Sequence, residues 1–263
     1  MQAFTLVFLA IYLAHLLTDF VFQSSRQVAR KRQGATVAYA GHGAIHLACA
    51  LVLLAFVWPD ALGNGLTYAV LVSLILIHLL VDHAKLALVS SHRMADGLGA
   101  FTLDQVIHAG TVFVAALLIA RLPMGTFFEQ MAAVRFDRVK VLWVLVVYVG
   151  IIWGGGYLLR YLTKPLIKRG VPEIQEGIDE LENAGLYIGW LERLLVLTAV
   201  LLGSPATVGL ILTAKSIARY PEFKSFRFAE YFLIGTLLSI SLGILGGIFL
   251  LRVLHSPILV VRP

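Results

Sequence analysis

Apolar residues run along this chain in eight blocks, 3–22, 37–57, 66–89, 100–120, 141–161, 186–202, 206–218 and 228–251, with short polar stretches between them. None alternates with the period of a half-buried strand, so helices are predicted throughout. Six blocks have 20 residues or more, enough at about 1.5 Å per residue to cross a hydrocarbon core of about 30 Å. The sixth and seventh are shorter and are parted only by Gly203-Ser204-Pro205. They read as a tight hairpin of two spans, with a re-entrant pair as the alternative. The predicted fold class is therefore all-α, a polytopic transmembrane helix bundle of about eight spans. No basic residue precedes the first block, and Arg26, Arg30, Lys31 and Arg32 follow it. That order reverses the pattern of a cleavable signal peptide and predicts a retained spanning helix.

The polar stretches divide the chain and orient it. Residues 1–121 read as an N-terminal four-helix membrane bundle, 122–140 as an extracytoplasmic connector, and 141–263 as a C-terminal membrane half. Within that half, residues 172–184 read as an acidic cytoplasmic surface helix, opened by Pro172 and closed by Gly185. If all eight blocks cross, one set of alternating loops, with Lys85, Arg160 and Lys215 at helix ends, carries 14 of the 21 Lys and Arg residues. The excess puts that set in the cytoplasm and both termini outside.

The polar positions inside the apolar blocks matter more. Each of the first four blocks carries one ionisable pair at i, i+4: His15/Asp19, His42/His46, His78/Asp82 and Asp104/His108. Residues four apart share a helix face one turn apart, so each pair can converge on one point. The first and third pairs end helices that run inward, and the second and fourth begin helices that run outward. All four thus fall in one layer near the cytoplasmic boundary. That layer holds five of the eight histidines and three of the seven aspartates in the chain. An aspartate at mid-membrane costs about 2.5–3.5 kcal/mol to insert, so these groups are expected to face the bundle interior and to have partners. Gln23 extends the first face and Lys85 the third, while Gln105 adjoins Asp104 on a face turned about 100° away. The second half has a weaker echo in Glu192, Lys215 and Glu230, which could close an ion-pair network; Arg193 lies within a span.

Composition agrees with the bilayer as solvent: the chain is 59% hydrophobic and 14% charged, with a mean hydropathy of +0.88. Soluble domains are about 25% charged. The formal charge of +6 reports orientation and gives no reason to expect nucleic acid. With Cys49 as the sole cysteine, neither a disulfide framework nor a thiolate metal site can form. What remains is imidazole and carboxylate, a ligand set for a divalent metal, zinc first, with iron or manganese as alternatives. No nucleotide-binding glycine loop, G-x-S-x-G elbow or H-E-x-x-H motif is present.

The strings HLLTDFVFQ (15–23), HLLVDHAK (78–85) and LDQVIH (103–108) resemble an uncharacterised bacterial family of multi-pass membrane proteins, a domain of unknown function. The resemblance covers residues 1–120; GWLER (189–193), AKSIAR (214–219) and AEYFLIGTLLS (229–239) resemble the extension of its longer members. It implies a bacterial cytoplasmic (inner) membrane protein and brings no activity. A looser likeness, in the use of membrane His and Asp, is to membrane-bound metal-dependent hydrolases.

These readings lead to one expectation. The chain is a metal-dependent membrane enzyme, a hydrolase of a lipid or lipid-linked substrate that enters from the cytoplasmic leaflet. His15, Asp19, His42, His46, His78, Asp82, Asp104 and His108 supply metal ligands. Asp19, Asp82, Asp104 and Lys85 are the catalytic candidates, and Gln23, Lys85 and Gln105 orient the substrate's polar head. A cation- or proton-coupled transporter and a non-catalytic assembly protein are the competing readings.

Overall fold

The computed structural model describes residues 2–120, 138–168, 184–224 and 226–255. Every regular element among them is helical. The expected surface helix at 172–184 and most of the 122–140 connector lie outside the described residues. Six helices are long and apolar enough to cross a membrane, and the helix ends fall close to the expected blocks. The protein is a multi-pass membrane protein.

The chain divides into two compact units, residues 1–146 and 147–263. In the first, helix α1 (Gln2–Leu16) winds into a π-helical stretch at Leu17–Phe22, and a short helix, α2 (Ser25–Arg32), follows. Helices α3 (Thr36–Val57), α4 (Gly65–Ser90) and α5 (Leu98–Ala120) complete the bundle. Packing runs in a ring: α1 on α3, α3 on α4, α4 on α5, and α5 back on α1. Helix α1 is apolar all round and correspondingly the most buried, with Val7, Leu9, Ala10, Ile11 and Ala14 fully enclosed. The other three keep apolar side chains on the outside, among them Val52, Phe56, Leu76, Leu80, Val106 and Val114. His42, His46, His78, Asp104 and His108 on these helices are buried, so the bundle holds a polar layer within and is largely oily without, as a lipid solvent requires.

Helix α2 was not expected. Ser24 caps it by accepting a hydrogen bond from the Gln27 amide at 3.2 Å. It packs on α3 and α4, which turns a basic loop into part of the bundle floor.

The second unit begins within a long helix, α6 (Arg138–Val149), which passes through a π-helical stretch at Gly150–Gly154 into α7 (Gly155–Lys168). Helices α8 (Ala184–Leu201) and α9 (Pro205–Ala218) form the expected tight hairpin, with Gly203 at φ 65° and Pro205 opening α9. At 14 residues, α9 reaches only about 21 Å, short of a full hydrocarbon core. Helix α10 (Phe226–His255) lies against α8. Their contact is close because a Cβ at Gly243 or Gly247 would stand 2.8 and 2.6 Å from Val196 and Val200. Of the expected ion-pair network, Lys215 and Glu192 pair closely, whereas Glu230 is exposed. Arg193 is buried and donates from Nε and Nη2 to the Ile152 carbonyl at 3.1 and 2.7 Å, satisfying a group inside the π-helical stretch.

Candidate metal centre

The four i, i+4 pairs converge. Helices α1, α3, α4 and α5 each present one face to the ring's interior, and His15, His42, His46, His78 and His108 are all buried there. His78 is the hub. The ring centroids of His108, His46, His42 and His15 lie 4.3, 4.8, 5.2 and 5.4 Å from its own. Its Nδ1 stands 3.1 Å from His108 Nδ1, and its Nε2 stands 3.0 Å from His42 Nε2.

The π-helical stretch sets the position of Asp19. With i→i+5 bonding the turn widens, and the Asp19 carboxylate reaches across to the neighbouring helices. Its Oδ1 is 3.2 Å from His42 Nε2 and 3.4 Å from His78 Nε2. Asp19 Oδ1, His42 Nε2 and His78 Nε2 therefore form a nearly equilateral triangle with sides of 3.0, 3.2 and 3.4 Å. Despite this closeness, Asp19 Oδ1 has no hydrogen-bond donor within the protein; the ring nitrogens approach it off the hydrogen-bonding direction. Three potential ligand atoms thus stand together, the two imidazole nitrogens within hydrogen-bond distance of each other and the carboxylate oxygen without a donor.

The other two carboxylates are each held by a lysine. Lys31 Nζ donates to Asp82 Oδ2 at 2.6 Å, and Lys85 Nζ donates to Asp104 Oδ2 at 2.8 Å. Asp82 Oδ2 lies 3.7 Å from His42 Nε2, and Asp82 Oδ1 lies 3.5 Å from His108 Nε2. His108 Nε2 also stands 3.4 Å from Asp104 Oδ1. Among the described residues Asp19 alone of the three has no lysine or arginine partner.

Two groups offer ligand atoms within 4.8 Å of one another: His15, His46 and His78, and Asp19, His78, Asp82 and His108. His78 belongs to both. In a tetrahedral shell with bonds of about 2.0–2.1 Å, ligand atoms stand about 3.3–3.4 Å apart, close to the sides of the Asp19–His42–His78 triangle. The donor set, neutral imidazole plus carboxylate without thiolate, suits a divalent ion of the zinc, iron or manganese type. The residues fit such an ion.

All eight expected ligand residues line this one interior. The three expected substrate contacts, however, touch the ligands themselves. The Gln23 amide lies 3.2 Å from His42 Nδ1; with its oxygen turned to this atom the amide would accept from Nδ1–H and hold the imidazole tautomer that leaves Nε2 bare. Lys85 is engaged by Asp104. Gln105 was expected to point away, yet its flexible side chain donates to Asp104 Oδ2 at 3.1 Å and stands 3.4 Å from His15 Nε2. In metal sites, contacts of this kind orient the ligands. Sequence reasoning missed Lys31, which is 3% exposed; nothing in the run Arg30-Lys31-Arg32 sets it apart from its neighbours.

Fold and site together define a multi-pass helical membrane protein with a buried histidine–aspartate centre. Residues 7–134 match the family described as Protein of unknown function (DUF3307), so the chain carries this uncharacterised family's domain across its first half. No curated protein and no solved structure matches the chain.

Proposed function

We propose that the N-terminal unit is a metal-dependent enzyme of a bacterial cytoplasmic membrane, a hydrolase of a lipid or lipid-linked substrate. The observation that carries this reading is the triangle of Asp19 Oδ1, His42 Nε2 and His78 Nε2, three ligand atoms at 3.0–3.4 Å, of which the buried carboxylate oxygen has no hydrogen-bond donor. A buried polar cluster kept only for helix register would be expected to satisfy its own hydrogen bonds. Here His15 Nδ1, Asp19 Oδ1, His46 Nδ1, Asp104 Oδ1 and His108 Nε2 are all buried without a hydrogen-bond partner. Charge allows the same reading. By formal count the three aspartates exceed by one the two lysines paired with Asp82 and Asp104, which leaves Asp19 to be balanced by an imidazolium or by a bound cation.

Asp19, His42 and His78 would hold the ion, with Asp82 and His108, or His15 and His46, completing its shell. When bound, such an ion supplies a Lewis acid and a water of lowered pKa, about 7 for zinc. The residues of the chain do the rest. Lys31 fixes Asp82, Lys85 and Gln105 fix Asp104 Oδ2, and Gln23 steadies His42. Asp104 Oδ1, buried and free of donors, is the atom that takes a proton as general base. Lys85 is the more exposed of the two lysines, its side chain 25% accessible, and it meets the polar head of the substrate. The charge asymmetry of the loops orients this mouth toward the cytoplasm, with both termini outside.

A cation or proton pathway would need ionisable groups at successive depths. Among the described buried polar residues of this unit, Thr67 alone lies outside the layer, and it does not ionise. A blind-ended site fits that distribution better.

The test is metal content. Detergent-purified wild type, reloaded with zinc, iron or manganese and washed, should retain stoichiometric metal, and Asp19→Asn and His78→Ala should each lose it. A folded wild type that stays metal-free after reloading overturns the reading.

A further inference from the structure

The second unit contains a cavity of about 330 Å³ that the metal centre does not involve. Arg160, Arg193 and Lys215 line it, together with Thr163, Thr236 and Ser239. Among the described residues Glu192, paired with Lys215, is the one acid in direct contact with these cations, so the described wall keeps a net charge of about +2 by formal count.

Two observations single this cavity out. Helical Ser and Thr side chains ordinarily turn back to the carbonyl four residues earlier, and in this unit Thr163, Thr198, Thr213 and Ser216 do so at 2.8–3.0 Å. Thr236 and Ser239 do not. They are 1% and 4% exposed, and their hydroxyls have no partner within the protein. Arg193 is the second. Its Nε and Nη2 are committed to the Ile152 carbonyl, yet its flanks are left open by glycines. A Cβ at Gly156 would stand 3.0 Å from Nη2, and one at Gly189 would stand 3.3 Å from Nη1.

We propose that this cavity binds a phosphate group, either free or as the headgroup of an anionic lipid. Three cations on separate helices and two unpaired hydroxyls surround a volume larger than the oxyanion. A tetrahedral anion presents acceptors in every direction, which suits this wall better than a planar carboxylate. Leu159 and Phe232, also in the lining, meet the organic part of an ester. Arg160 lies at the exposed rim, where a headgroup would enter.

The experiment follows thermal unfolding and ligand retention of the full chain with two probes. One is inorganic phosphate in neutral detergent, against chloride at equal ionic strength. The other is nanodiscs of phosphatidic acid in phosphatidylcholine, against phosphatidylcholine alone. The variants are Thr236→Val with Ser239→Ala, which removes two unpaired hydroxyls and should not unfold the protein, and Arg160→Gln at the rim. At least one probe should stabilise wild type with a saturable midpoint, and each variant should raise that midpoint about tenfold, the loss of a charge-assisted hydrogen bond. Response to phosphatidic acid alone identifies a lipid headgroup; response to inorganic phosphate identifies the free ion. If neither probe stabilises wild type, or if the variants respond as wild type does, the proposal fails.

Discussion

A lysine amine 2.6 Å from an aspartate oxygen, with side-chain exposures of 2% and 14%, has given up water on both sides. Removing one partner leaves the other charge stranded, at a cost of about 3–5 kcal/mol. Lys31→Met should therefore lower the stability of the metal-free protein by about 3 kcal/mol. Adding Asp82→Asn in the same chain should recover most of that, because the stranded carboxylate is gone. Thermal unfolding of both variants in detergent reads the difference, and a Lys31→Met protein as stable as wild type would show that the pair is worth little. Metal should act in the opposite direction to such losses. A ligand that binds only the folded state at 100 times its Kd adds about 2.7 kcal/mol, so chelator treatment should lower the unfolding temperature of wild type and leave that of Asp19→Asn unchanged. At this scale the sequence was readable where a residue type contradicts its surroundings. His15, His78 and Asp104 stand out against apolar blocks, whereas Lys31 sits in a basic run and only the folding back of α2 buries it.

Helices carry these side chains to one point, and two local features of the helices decide how closely. The first is the π-helical stretch after Leu16, which turns Asp19 toward α3 and α4. It was invisible in the sequence, because one widened turn leaves an unbroken apolar block unbroken. The helix limits were readable for the same reason: in a bilayer, the length of an apolar run and the length of a span are one constraint. The second feature is Gly43, next to His42 on α3. A Cβ there would lie 3.1 Å from Leu79 Cδ1 and 3.3 Å from Ile75 on α4. Since Leu79 can give by a few tenths of an ångström, Gly43→Ala should leave metal retention nearly intact. Gly43→Leu has no such room. It should push α3 off α4, open the 3.0 Å His42–His78 approach, and weaken metal binding at least tenfold by about 1.4 kcal/mol or more of lost ligand geometry. Titration of the apo-proteins with zinc and a competing chelator separates the two variants; equal affinities would mean that the α3–α4 distance does not set the site.

For the molecule as a whole, the governing fact is the inversion of polarity. The buried charged and imidazole groups of the first unit gather in one layer, the second unit buries Glu192 and Arg193, and the large exposed side chains of the long helices are mostly Leu, Val, Ile and Phe. A chain of this kind has only one solvent that suits it, and its sidedness then follows from where the uncompensated Lys and Arg residues sit. The loop that contains α2 and the loop after Ser90 should face the cytoplasm, and the turn at 58–64 should face out. The sole cysteine, Cys49, makes the test simple. In a Cys49→Ala background, Ser91→Cys should be labelled by a membrane-impermeant maleimide only after the cells are opened. Gly63→Cys, at the opposite end of α4, should be labelled in intact cells. The reverse pattern would place the mouth of the histidine–aspartate layer on the outer side, and with it the lipid leaflet from which a substrate could reach Asp104 and Lys85.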